Sequence, residues 1–142
     1  MPSSTFSILL TVRDYECDFQ GIVNNAVYMN YLEHARHEFV KSRGLDVVKL
    51  AQENINLVLV KAEIEYRASL RSGDTFRVSV HMEPISRVRF LFVQQIHRQS
   101  DGKLIIDACM TGASIDEYGK PKAFDEITAL LVRDSCQPDP EA

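Results

Sequence analysis

From Leu59 onward, apolar residues recur at every second position: Val60, Ala62, Ile64, Tyr66 and Ala68 alternate with Lys61, Glu63, Glu65 and Arg67. Successive side chains of an extended chain point to opposite faces, so this spacing predicts a long strand with one face buried. Ser72-Gly73-Asp74 marks a turn, and the alternation of Phe76, Val78, Val80 and Met82 with Arg77, Ser79, His81 and Glu83 predicts a strand returning beside the first. Pro84 ends it. Residues 88–98 follow as a strand apolar on both faces, as expected of one with neighbours on either side. Ser100-Asp101-Gly102-Lys103 supplies a hairpin turn. Residues 104–115 form the next strand, with Ala108, Gly112 and Ala113 small enough for another layer to approach closely. Tyr118-Gly119-Lys120-Pro121 stops that strand, and 124–132 read as a short helix with Asp125 and Glu126 in its first turn.

Upstream the period is helical. Tyr28, Tyr31, Leu32, Ala35 and Phe39 share one face, while Asn30, Glu33, Arg36, His37 and Lys41 take the others, which predicts one helix of about four turns. Asn24 or Asn25 is the expected N-cap, and Gly44 suits the left-handed position after the helix. A second short helix is expected over 47–52. The order is strand, long helix, then four strands whose short connections force antiparallel pairing, an α+β architecture. Only the long helix is large enough to cover the sheet, so a homodimer pairing edge strands or sharing a helix surface is expected.

Composition narrows the picture further. A chain of 142 residues, 45% of them hydrophobic, suits one compact domain spanning 1–142, with a frayed tail from about 134. No internal repeat or Gly/Ser/Pro-rich linker divides it. Its net charge of -4 disfavours nucleic acid and anionic membrane surfaces. No apolar run reaches the ~20 residues of a membrane span, and MPSSTFSILL lacks the marks of a secretory signal, so the expected compartment is the cytoplasm. Cys17, Cys109 and Cys136 are odd in number and widely spaced, which argues for reduced, mostly buried thiols over a disulfide framework or zinc site.

Candidate chemistry concentrates in residues 12–39. An acidic loop residue, Asp18, and Gly21 lead directly into the Asn24-Asn25 helix entry, placing a carboxylate beside unpaired backbone N–H groups able to hold an oxyanion. The pattern Asp18-x-x-Gly21-x-Val23-Asn24-Asn25-x-x-Tyr28-x-x-Tyr31-x-Glu33-x-x-Arg36 resembles the hotdog-fold acyl thioesterases, in particular the 4-hydroxybenzoyl-CoA thioesterase and YbgC-like branch. Within it, the block looks closest to plant acyl-lipid and methylketone-synthase-type thioesterases and their bacterial relatives. The resemblance implies an antiparallel sheet wrapped around one long central helix, with active sites at a dimer interface and dimers commonly joined into tetramers. It implies Asp18 as the catalytic acid and the Asn25 backbone N–H as the donor to the thioester carbonyl, with no metal or other cofactor.

Asp18 could attack the thioester to form an acyl anhydride or deprotonate a water, and the sequence leaves both open. Gly21, Val23 and Tyr28 are the expected substrate-side residues of the junction, although Gly21 also has a purely conformational reading and Tyr28, like Tyr31, reads as a core aromatic. Arg87 and Arg89, beside Ser86, are the expected partners of coenzyme A phosphates, with Lys120 and Lys122 as a weaker pair. Asp14 and Glu16 read as surface charges. Glu33 reads as an intrahelical partner of Arg36 or His37. Cys17 reads as core, and HARHE fits no zinc-protease order.

The expected activity is therefore hydrolysis of acyl-CoA or acyl-carrier-protein thioesters. A non-catalytic acyl-binding module on the same fold is the alternative, since fold does not fix activity. A hydratase or dehydratase would need a histidine near the Asp18 loop, where the sequence has none.

Overall fold

The computed structural model describes residues 6–135. Its elements are β1 (Phe6–Thr11), α1 (Asn25–Ser42), α2 (Val47–Gln52), β2 (Asn56–Tyr66), β3 (Thr75–Pro84), β4 (Arg89–Arg98), β5 (Leu104–Ile115) and α3 (Asp125–Ser135). The strands form one antiparallel sheet in the order β1-β3-β4-β5-β2, packed on the long α1. This is the hotdog form of the α+β class.

Local chemistry sets the limits of α1. Asn24, in extended conformation, accepts the Ala26 N–H on its side chain and so caps the first turn. At the other end Gly44 takes φ +89°, and the N–H groups of Gly44 and Leu45 donate to the carbonyls of Lys41 and Val40. That pair of bonds is a Schellman closure, which a residue with a Cβ would strain. The helical face read from the sequence is the buried one: Tyr28, Tyr31, Leu32, Ala35 and Phe39, joined by Val40.

The core lies between this face and the inward row of the sheet, including Phe76, Val78, Val80, Met82, Phe90, Phe92 and Ile96. Cover is shared rather than supplied by α1 alone, because Ile127, Leu130 and Leu131 of α3 enter the same core. The helix α3 continues to Ser135. The tail expected to fray lies, from 136 on, outside the described residues, as does Cys136. Cys17 and Cys109 are half-buried free thiols. No helix among the described residues is long and apolar enough to cross a membrane.

β2 departs from the half-buried strand expected. It starts at Asn56, and its pairing with β5 slips between Leu59 and Lys61, a bulge at Val60 that interrupts the two-residue alternation. Leu59, Val60 and Tyr66 are 41%, 46% and 49% exposed. The strand stands at the sheet edge, with one row of backbone groups unpaired among the described residues.

Candidate active site

Between β1 and α1 the chain makes a 3-10 turn over Asp14–Glu16 and then a tight hairpin. Glu16 is not a surface charge: its side chain is 12% exposed, and Oε1 accepts both the Arg13 N–H (2.9 Å) and the Tyr31 hydroxyl (2.7 Å). The Glu16 carbonyl accepts the Asn24 N–H at 3.0 Å, so one residue ties the turn to the helix entry and to the second turn of α1. Burial and the adjacent carboxylate raise the Tyr31 hydroxyl far above its usual value. Asp14 accepts a hydrogen bond from Ser72.

Asp18 sits at the head of the hairpin. Its N–H donates to the Ile22 carbonyl (2.9 Å), its carbonyl accepts the Gly21 N–H (3.0 Å), and its Oδ1 accepts the Gln20 N–H (2.8 Å). Oδ2 has no hydrogen bond among the described residues. Gly21 adopts φ +82°, and a Cβ there would meet only Arg71 Nη1, at 4.0 Å. Conformation, rather than space, demands the glycine. Downstream, Ile22 bridges Arg71, and the Val23 N–H donates to the Leu70 carbonyl (2.9 Å). The Leu70 N–H donates in turn to the Tyr28 hydroxyl at 3.0 Å.

At the mouth of α1 the Asn24 cap takes the Ala26 N–H on its side chain and the Val27 N–H on its carbonyl. The donors expected there thus reduce to the Asn25 N–H, which as the first helical residue has no partner within the helix. Tyr66, the last residue of β2, packs edge-on against Tyr28 (5.7 Å between ring centres), and its hydroxyl donates to the Asn25 carbonyl at 3.3 Å. The edge strand therefore ends at the helix mouth.

Asp18, Gly21, Val23, Asn25 and Tyr28 all belong to this junction. Val23 and Tyr28, at 1% and 2% exposure, lie inside it, with the Tyr28 hydroxyl engaged by Leu70 and raised in pKa chiefly by burial. Arg87 and Arg89 do not join them. Both are exposed, Arg87 in the β3–β4 turn and Arg89 at the start of β4, where its N–H engages the Ser86 hydroxyl (3.1 Å). The start of β3 is bonded through Asp74 to Val12, beside the hairpin; ten strand residues carry the turn about 30 Å away. Lys120 and Lys122 are also exposed, the latter 5.3 Å over Phe124.

A groove of about 90 Å³ opens between α1 and the sheet, walled by Glu33, Arg36, His37 and Val40 of α1, Leu57, Val58 and Leu59 of β2, and Phe90, Phe92 and Gly112 of the sheet floor. Arg36 turns inward instead of pairing on the helix surface. Its Nη1 donates to Gln94 Oε1 (3.2 Å), its guanidinium lies 5.9 Å over the Phe92 ring, and burial lowers its pKa while Glu33 opposes the shift. Gln94 is fully buried and donates to the Leu32 carbonyl at 3.0 Å. A glutamine in the inward phase of an otherwise apolar strand was the signal for this network.

Residues 12–129 match the family model described as the thioesterase-like superfamily. The chloroplastic acyl-acyl carrier protein thioesterases ATL2 and ATL3 of Arabidopsis thaliana are 40% and 34% identical, over 92% and 84% of this chain. The chain spans 70% and 63% of their lengths. A solved 1,4-dihydroxy-2-naphthoyl-CoA thioesterase from Synechocystis shares the fold, with a TM-score of 0.87 at 20% identity over 94% of this chain and 99% of that one.

Proposed function

The chain belongs to the thioesterase-like superfamily and is a thioester hydrolase, and from that premise we propose that it releases acyl groups from CoA or acyl carrier protein at the mouth of α1. The carrying observation is the hairpin that fixes Asp18 beside a helix whose cap leaves the Asn25 N–H unused. Asp18, through its free Oδ2, either takes a proton from water as the hydroxide adds to the carbonyl, or itself adds to the carbonyl. In both cases the carbonyl electron pair moves onto oxygen, and the Asn25 N–H donates to the oxyanion. Collapse breaks the C–S bond and releases the thiolate, which takes up a proton. The second route leaves an acyl anhydride on Asp18 that water then opens. Val23 and Tyr28 serve by holding the loop from beneath.

The site is completed by a second copy. In one chain, Glu33 at the near end of the groove lies eight residues, about 12 Å, along α1 from Asn25. Antiparallel pairing of two β2 edges about Lys61 sets residue 56 of one copy opposite residue 66 of the other. The groove flanked by Leu57–Leu59 then meets the partner's helix mouth, and the β3–β4 turn with Arg87 and Arg89 swings toward the same side to meet carrier phosphates. The exposed apolar residues of β2 and its unpaired edge support this dimer; pairs of dimers give the tetramer. A reducing compartment such as the cytoplasm suits the free thiols of Cys17 and Cys109.

Thiol release measured across acyl-CoA and acyl-carrier-protein substrates tests the reading. Turnover of at least one class is expected; tight binding of both without thiol release would instead identify a non-catalytic acyl-binding module.

A further inference from the structure

Gly112 sits in the interior of β5, where glycine weakens a strand, and its backbone is not in the positive-φ region that would call for one. Space explains it. Gly112 is the register partner of Phe90 on β4, and a Cβ built on it would lie 2.4 Å from Phe90 Cε2 and 3.0 Å from Cζ. The ring therefore lies down over the Gly112 backbone in the room a side chain would fill. Edge-to-face packing holds it there: Phe90 meets Phe92 at 85° and Phe92 meets Phe39 at 88°. Phe90, 1% exposed, and Gly112 both line the groove.

We infer that the Phe90–Gly112 pair sets the depth of the acyl slot and so selects straight-chain acyl groups by length. The inference rests on the proposed reading of the groove as the acyl site. The slot runs along α1 from Glu33 to Val40, about 10 Å of helix, with the polar residues Glu33, Arg36 and His37 toward one end and Val40, Val47 and Phe90 toward the other. An elongated slot, polar at one end and apolar at the other, fits an alkyl chain. A methyl at position 112 cannot coexist with the flat ring, so the ring must rise into the slot and shorten it. Trimming Phe90 has the opposite effect.

The test is kcat/KM of the full chain on a ladder of acyl-CoAs from butanoyl to palmitoyl, for wild type, Gly112→Ala, Phe90→Leu and the double variant. Gly112→Ala is expected to lose at least about tenfold on the longest acyl group that wild type accepts well, and under about threefold on the shortest, the scale on which methylene contacts discriminate. Phe90→Leu is expected to shift the optimum to longer chains, and the double variant to restore the wild-type profile. Should Gly112→Ala not fold, the Phe90→Leu shift decides alone. A uniform change along the ladder, or none, overturns the inference while leaving the hydrolase reading standing. Wild-type inactivity on the whole ladder and on acyl carrier protein would remove the reading beneath it as well.

Discussion

The Tyr31 hydroxyl donates to Glu16 Oε1 at 2.7 Å, joining the second turn of α1 to the 3-10 turn that precedes Asp18. The acceptor is a largely buried carboxylate oxygen that also takes the Arg13 N–H at 2.9 Å. Tyr31→Phe leaves it short of a donor. A loss of about 1.5–3 kcal/mol in unfolding free energy is expected, the range for a hydrogen bond to a charged group, read by urea titration. Unchanged stability would show that the clasp does not hold the turn.

The same bond makes a pH prediction. Tyr31 in the folded chain keeps its proton well above the usual value of 10.0, because burial and Glu16 oppose a second negative charge. In the unfolded chain it ionises near 10, so above that pH the unfolded state binds fewer protons and stability falls as pH rises. Tyr28 contributes with the same sign. Thermal melts are expected to drop between about pH 9 and 11, and the slope to be shallower in Tyr31→Phe; equal slopes would refute the assignment.

Gly21 tests the loop. Its φ of +82° costs a residue with a Cβ about 1–2 kcal/mol, though nothing crowds the position. Gly21→Ala is expected to destabilise by that amount and to lower kcat more than it raises KM, since the strain falls on the Asp18 turn. A pure KM effect would place Gly21 in substrate binding alone.

The β2 edge carries the dimer prediction. Replacing Ala62, near the middle of the strand, with proline removes a backbone donor and blocks edge pairing. Sedimentation is expected to show a monomer with activity reduced at least about tenfold. A folded, fully active monomer would show that one chain holds the whole site.

Where a local rule acts alone, the sequence was readable. The cap at Asn24, the glycine after α1, the 47–52 helix, the inward row of β3 and the extent of β5 all follow from period, turn chemistry and capping. Misreadings arose where tertiary contacts override local pattern. Arg36 occupies a polar helical position yet turns in, because Gln94 and Phe92 offer it a hydrogen bond and a ring face. Glu16 looks like a strand charge but is claimed by Tyr31, fifteen residues on. The bulge at Val60 was hidden because the residues before it, Leu57, Val58 and Leu59, are all apolar, so no break in alternation marks the slip. The distance between Asp18 and the Arg87–Arg89 pair within one chain was not legible either, because one dimension does not show that β3 carries the pair to the far end of the sheet.

The most direct measurement is thiol release by Asp18→Asn beside wild type on the best acyl thioester, with ligand binding measured in parallel. The substitution keeps the shape and the Asx hydrogen bond to Gln20 while removing the carboxylate. Binding within about threefold of wild type is expected, with kcat lowered at least about 100-fold, a loss of roughly 2.7 kcal/mol of transition-state stabilisation. Turnover equal to wild type in a folded Asp18→Asn protein would contradict the placement of the reaction at this carboxylate.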